Sequence, residues 1–185
     1  MFKKAPRPRA ISLMLLWAAA VASTPGGGAT ARQSDEPKTV RDFFLLVPES
    51  YVGYDRRFRE DVLRGGPGAV VDIRNGYISY KATDNPEAFE FAIFRKSNGK
   101  YLAAYSVAYD PDFPETTSIL RLLSYEGGRW SDVTRQLLPR AFDRRLTYKL
   151  PRQGRSIVVT DEKGRELYTL TWANDKFNVG RTAGK

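Results

Sequence analysis

The chain of 185 residues contains no cysteine and no histidine. Ser-His-Asp and Cys-His nucleophile systems, as usually built, are thereby excluded. Zinc, haem and iron–sulfur sites lose their usual ligands, and nothing in the sequence calls for a metal or a cofactor. No Gly-rich phosphate loop of either standard type is present. Disulfide staples are excluded as well. Domains well under 80 residues often need such staples in an oxidising compartment, whereas a domain of about 150 residues can rely on core packing. Beyond the N-terminal segment, no apolar run reaches the roughly 20 residues of a bilayer-spanning helix.

That N-terminal segment has a recognisable order. Lys3, Lys4, Arg7 and Arg9 form a basic start without an acid. An apolar run follows from Ala10 to Ala22, broken only by Ser12, and Ala20-Val21-Ala22 supplies a small-x-small end. This is the pattern of a cleavable secretory signal peptide over residues 1–22, with a later cut after Ala29-Thr30-Ala31 as an alternative. The run is shorter than the roughly 20 residues of a bilayer-spanning helix, which favours cleavage over the alternative of an uncleaved membrane anchor, and without cysteine no lipoprotein is expected. The expected location is periplasmic or extracellular. Residues 23–36 are small and polar and read as a flexible leader, residues 37–180 as one domain, and residues 181–185 as a disordered tail.

The formal charge of +9 is unevenly spread. Without residues 1–22 the chain has 26 basic and 21 acidic residues. From Arg135 to Lys185 there are 12 basic and 5 acidic residues, whereas residues 23–134 carry 14 and 16. The basic character belongs to the C-terminal third.

Local signals order the domain. Thr39 to Asp42 resembles a capping box, and Val40, Phe43, Phe44 and Val47 then recur at helical spacing until Pro48. Asp55 can cap a second helix that shares Phe58 and Val62 on one face and ends at Gly65-Gly66. From Ala69 the period becomes two. Asn75-Gly76, Asn98-Gly99, Glu126-Gly127-Gly128, Lys163-Gly164 and Asn174-Asp175 then separate short apolar runs, which is the signature of hairpin turns. A short helix over Val133–Leu138, capped by Ser131 or Asp132, interrupts the series. The expectation is an α+β domain: an antiparallel β-meander, strongly bent or split into two sheets after Leu138, with two N-terminal helices on one face and one short internal helix.

Carboxylate chemistry survives the missing residue types, because glycoside hydrolysis needs only two acids flanking a sugar bond. Asp72, Asp84, Glu90, Asp110, Asp112 and Glu115 are candidates near strand ends, although no spacing pairs any two of them. The run from Asp110 to Glu115 has part of a calcium-loop pattern but lacks the central Gly, and its two prolines equally describe a turn. Tyr101, Tyr105 and Tyr109 share one strand face, which can stack on sugar rings or cover a core beneath the helices. Arg140, Arg144, Arg145, Lys149, Arg152 and Arg155 form the densest basic stretch, which is either a solvated face or a contact for phosphate-rich lipids and acidic polymers.

Several segments together resemble an uncharacterised group of exported bacterial proteins. They are TVRDFFLLVPESY (39–51), VVDIRNGYI (70–78), FAIFRKSNGKYLAA (91–104), YEGGRWSDVTRQLLP (125–139), YKLPRQGRSIVV (148–159) and LYTLTWANDKF (167–177). The resemblance spans most of the domain, in order, and departs after Tyr51, where a longer insertion is expected. It implies that the hairpin turns and the Trp130 and Trp172 segments belong to one recurrent domain. It carries no activity, ligand or catalytic residue.

The functional expectation is an exported, non-enzymatic binding module that meets an anionic envelope polymer, a lipid head group or a protein, and not nucleic acid. The alternatives are a two-carboxylate hydrolase acting on polysaccharide and a secreted enzyme inhibitor that uses the loop at 110–115.

Overall fold

The computed structural model describes residues 36–83, 88–108 and 117–180. The expected signal segment, most of the leader, the C-terminal tail, Tyr109, Asp84 and the loop at 110–115 lie outside the described residues.

Helix α1 (Val40–Leu46) starts as its capping residues require. Thr39 Oγ1 accepts the Asp42 N–H at 3.3 Å, and Asp42 Oδ2 accepts the Thr39 N–H at 2.9 Å. After Pro48 a single turn, α2 (Glu49–Val52), precedes α3 (Arg56–Leu63). The turn is an addition to the two expected helices. Asp55 Oδ1 caps α3 by accepting the Phe58 N–H at 2.7 Å, and Gly65 at φ 80° ends it. Arg59, only 4% exposed, reaches from α3 to the C-terminal end of α1. Its Nη1 donates to the carbonyls of Phe44 at 2.7 Å and Val47 at 2.5 Å. Helix ends leave carbonyls without partners, and here a side chain from the next helix supplies the donors.

The strands form two antiparallel sheets. Strands β1 (Ala69–Asp72), β2 (Tyr77–Lys81), β3 (Ala88–Arg95), β4 (Tyr101–Val107), β5 (Ile119–Glu126) and β6 (Arg129–Asp132) follow one another as a six-stranded meander. Helix α4 (Thr134–Leu137) then carries the chain to β7 (Thr147–Lys149), β8 (Ser156–Thr160), β9 (Glu166–Ala173) and β10 (Lys176–Gly180), a second meander of four strands. The α+β class, the two N-terminal helices and the split meander are as the turn signals indicated. In the β9–β10 turn Asn174 and Asp175 both have positive φ, 51° and 58°, as a type I′ turn needs.

Alternation in the six-stranded sheet divides its side chains between two cores. Ile78, Phe89, Phe91, Ala103, Tyr105 and Leu123 meet Val40, Phe44 and Val62 under the helices. Tyr77, Ala92, Phe94, Leu102 and Leu122 face Ile157, Leu170, Trp172 and Phe177 of the four-stranded sheet. The layers are therefore helices, six-stranded sheet, four-stranded sheet. Each fully buried large apolar side chain contributes about 1.5–3 kcal/mol, and the inner sheet collects this on both faces.

Polar ties fasten the two sheets. Strand β7 is an outer strand of its sheet, so one row of its main-chain groups lacks a strand partner. Two side chains of the inner sheet fill that role. Ser106 Oγ donates to the Tyr148 carbonyl at 2.6 Å, and Glu90 Oε2 accepts the Leu150 N–H at 2.5 Å. Glu90 and Ser106 stand directly opposite each other across β3 and β4, so one lateral row serves both groups. At the other end Trp172 Nε1 donates to the Arg95 carbonyl at 2.9 Å, and Asp175 Oδ1 accepts the Ser97 N–H at 2.8 Å.

Candidate functional site

Two clefts flank the seam between the sheets. The first, of about 300 Å³, is lined by Tyr80, Phe89, Glu90, Ser106, Tyr148 and Lys149, among others. Among the described residues that line it, Glu90 is the one carboxylate. Both oxygens are engaged, Oε2 by Leu150 and Oε1 by the Tyr77 hydroxyl at 2.8 Å. Burial raises the Glu90 carboxyl above its ordinary pKa, against the pull of those two donors and of Lys149. The same burial, with the Glu90 charge beside it, raises the Tyr77 phenol. Two-carboxylate hydrolysis needs a second acid in the same cleft, and none of the described residues lining it supplies one.

The second cleft is larger, about 610 Å³, and basic. It opens along β5 where β6 has ended, because β6 pairs only with residues from Leu123 to Glu126. Its walls come from three separate segments: the start of β5, the α4 region, and the loop before β7. Among the described residues they bring Arg121, Arg135 and Arg144 together with a single acid, Asp132. Asp132 is already engaged. Its Oδ1 accepts from the Thr134 N–H at 2.9 Å and the Thr134 hydroxyl at 2.5 Å, and its Oδ2 lies 3.4 Å from Arg121 Nη1. Arg121 also lies over the Tyr51 ring, 5.9 Å from its centroid. Two polar atoms of this lining are buried without a hydrogen-bond partner, Ser118 Oγ and Arg121 Nε. Ser118 as a whole is 2% exposed. Buried polar atoms are nearly always satisfied, so each exception calls for an explanation such as strain, a chemical role, or a bound water or ion.

The main chain of β5 adds to this wall. The Ser118 N–H donates to the Arg144 carbonyl at 3.1 Å, and the Leu122 N–H to Thr134 Oγ1 at 2.8 Å. The Leu122 carbonyl accepts from Val133 N at 2.8 Å. All these groups point away from β4. Strand geometry makes the N–H and C=O of Leu120, between them, point the same way. Leu120 lines the cleft, and no strand pairs with it on that side among the described residues.

The basic residues singled out from the sequence are dispersed rather than gathered. Arg144 lines the cleft. Arg140 lies over the Tyr168 ring, 4.6 Å from its centroid. Arg145 pairs with Asp143, and Arg152 pairs with Asp72 across the seam. Lys149 borders the smaller cleft. Arg155 is exposed, and its carbonyl accepts from Trp172 N at 2.8 Å. Tyr105 is buried under the helices, and Tyr101 packs edge-on against Phe43 with ring centroids 5.8 Å apart, so both serve the core. Ser118, Arg121 and Arg135 carried no signal in the sequence, because they meet only after folding. Among the described residues, no helix is long and apolar enough to cross a membrane. Comparison with protein-family models, with curated proteins and with solved structures gives no match.

Proposed function

We propose that the chain is an exported, non-enzymatic binding module that holds oxyanion-bearing components of the cell envelope in the arginine cleft. The observation that carries this reading is the cleft's donor set: three arginines around one engaged aspartate among the described residues, with Ser118 Oγ buried and without a partner. Arg135 and Arg144 take part in no ion pair among the described residues. A buried donor without a partner favours an anion, and the exposed guanidinium forks of Arg135 and Arg144 suit carboxylate and phosphate oxygens. The one buried carboxylate of the smaller cleft is consumed by ties within the protein, which favours binding over hydrolysis.

The test is the melting midpoint of the purified protein with anionic envelope polymers, inorganic phosphate and neutral oligosaccharides, at low and high salt. A ligand that binds the folded state raises the midpoint by mass action. A rise with anions that shrinks in salt is the expected result. A rise with neutral sugars alone, or none with any anion, overturns the reading. N-terminal sequencing of the protein recovered from outside the cytoplasm tests export, and a start near Ser23 is expected.

A further inference from the structure

We infer that the arginine cleft takes a short peptide end: one amide that pairs with the main chain of Leu120, followed by a free carboxylate that meets the arginines. This rests on the oxyanion-binding reading and narrows its ligand class. Three features separate a peptide carboxylate from a bare anion. First, the open segment of β5 offers an acceptor as well as a donor. The Leu120 carbonyl would repel a phosphate or sulfate oxygen, but it can receive an amide N–H. Second, at about 610 Å³ the cleft falls within the range of roughly 300–1,000 Å³ typical of small organic ligands, and it far exceeds the needs of a single ion. Third, Phe142, 38% exposed, lines it and offers an apolar wall to a side chain.

The geometry also sets a length. The β5 edge is closed at one end by the bond from Ser118 to Arg144 and at the other by the bond from Leu122 to Thr134. Four residue steps of a strand span about 13 Å, and between those closures the N–H and C=O of Leu120 and the C=O of Ser118 have no hydrogen-bond partner among the described residues. One ligand residue can pair with both groups of Leu120, and the Ser118 carbonyl remains beside it. Strand addition of this kind takes affinity from main-chain bonds and specificity from flanking pockets, here the arginines and Phe142.

The experiment is an NMR titration of the isotope-labelled full chain, with the Leu120 amide as reporter. The probes are N-acetyl-leucine, its N-methylated analogue, its carboxamide, acetate and inorganic phosphate. N-acetyl-leucine should shift the Leu120 amide and bind at least about tenfold tighter than acetate. Loss of one neutral hydrogen bond on N-methylation should weaken binding by about 2- to 10-fold, and loss of the charge in the carboxamide by about 10-fold or more. Extending the peptide at its N-terminal end should gain little. Ser118→Ala should lower affinity for the carboxylate probes while leaving the melting midpoint unchanged or higher. If the N-methylated analogue or phosphate binds as well as N-acetyl-leucine, the peptide inference fails and oxyanion binding stands. If no anion binds, both fail.

Discussion

Glu90 Oε2 accepts the main-chain N–H of Leu150 at 2.5 Å, and through that bond the middle of the six-stranded sheet holds the outer strand of the four-stranded one. The other oxygen holds Tyr77, so one carboxylate serves both a buried phenol and a strand edge. Glu90→Ala leaves the Leu150 N–H without a partner and removes the acceptor of the Tyr77 hydroxyl proton. It should cost about 2–4 kcal/mol, given roughly 1–3 kcal/mol for each buried group left unpaired. Glu90→Gln should cost much less, because its amide oxygen can accept from Leu150 while its NH₂ donates to the Tyr77 oxygen. Urea unfolding of the two variants checks the contrast, and equal losses would show that the carboxylate's charge, not its bonding pattern, matters.

The same residue gives a pH dependence of definite sign. Burial raises the folded-state pKa of Glu90 above its ordinary value near 4.5. The folded state therefore binds this proton more tightly than the unfolded chain does. The contribution is fully present below the unfolded value and is lost as pH rises through the folded one. Glu90→Gln cannot ionise, so its stability relative to the wild type should increase between about pH 4 and pH 8. Carboxyls lowered by their partners, such as Asp72 and Asp143, drive the opposite trend, but they titrate in both proteins and cancel in the difference. Unfolding free energies of both proteins across that range provide the check, and a flat or falling difference would contradict the assignment.

Local chemistry made most of the fold legible. Thr39 and Asp42 cap within one turn, and Asn174-Asp175 can form a tight turn wherever it lies, so short-range sequence suffices for both. The cleft was not legible, because Ser118, Arg121, Arg135 and Arg144 come from three segments with no characteristic spacing. The basic stretch from Arg140 to Arg155 shows the converse. Close in sequence, its members lie on turns and a short strand that point them apart, to Tyr168, Asp143 and Asp72. A run of like charges was therefore a poor guide to a common surface.

Arg59 provides a test of the helical layer. Its guanidinium supplies donors to the carbonyls of Phe44 and Val47, and burial lowers its pKa from the ordinary guanidinium value. Arg59→Met keeps much of the apolar stem but removes the donors. At about 1.5–3 kcal/mol for a hydrogen bond to a charged group, partly offset by relief of the buried charge, the loss should be about 2–4 kcal/mol. Chemical denaturation measures it. A loss below about 0.5 kcal/mol, the range of ordinary surface changes, would mean that water caps α1 as well as Arg59 does.

Gly68 is fixed by two constraints at once. It has φ 78°, and a Cβ there would sit 1.9 Å from the Lys81 carbonyl oxygen. The Lys81 N–H also bonds to the Gly68 carbonyl at 3.0 Å, so the chain cannot move away without losing that bond. Gly68→Ala should therefore cost more than the ~1 kcal/mol of positive φ alone, on the order of 2–4 kcal/mol, and weaken the β1–β2 edge first. Hydrogen exchange at the Val70 and Ser79 amides, which face each other as a bonded pair across β1 and β2, would report that local loss.

Charge reversal distinguishes the arginine cleft from the rest of the basic surface. Arg135→Glu with Arg144→Glu changes the cleft's formal charge by four while touching no ion pair among the described residues. Arg140→Glu with Arg155→Glu changes the total charge equally but lies outside the cleft's lining. If the whole C-terminal third attracts anions diffusely, both double variants should weaken anion binding alike, because screened fields depend mainly on net charge. If the cleft holds the anion, the first pair should abolish binding and the second should reduce it about as much as a modest rise in salt. Each variant must first match the wild-type circular dichroism. Arg140→Glu also removes a cation–π contact, worth about 0.5–1 kcal/mol at an exposed site, so a small drop in melting midpoint is expected there and none for Arg135→Glu.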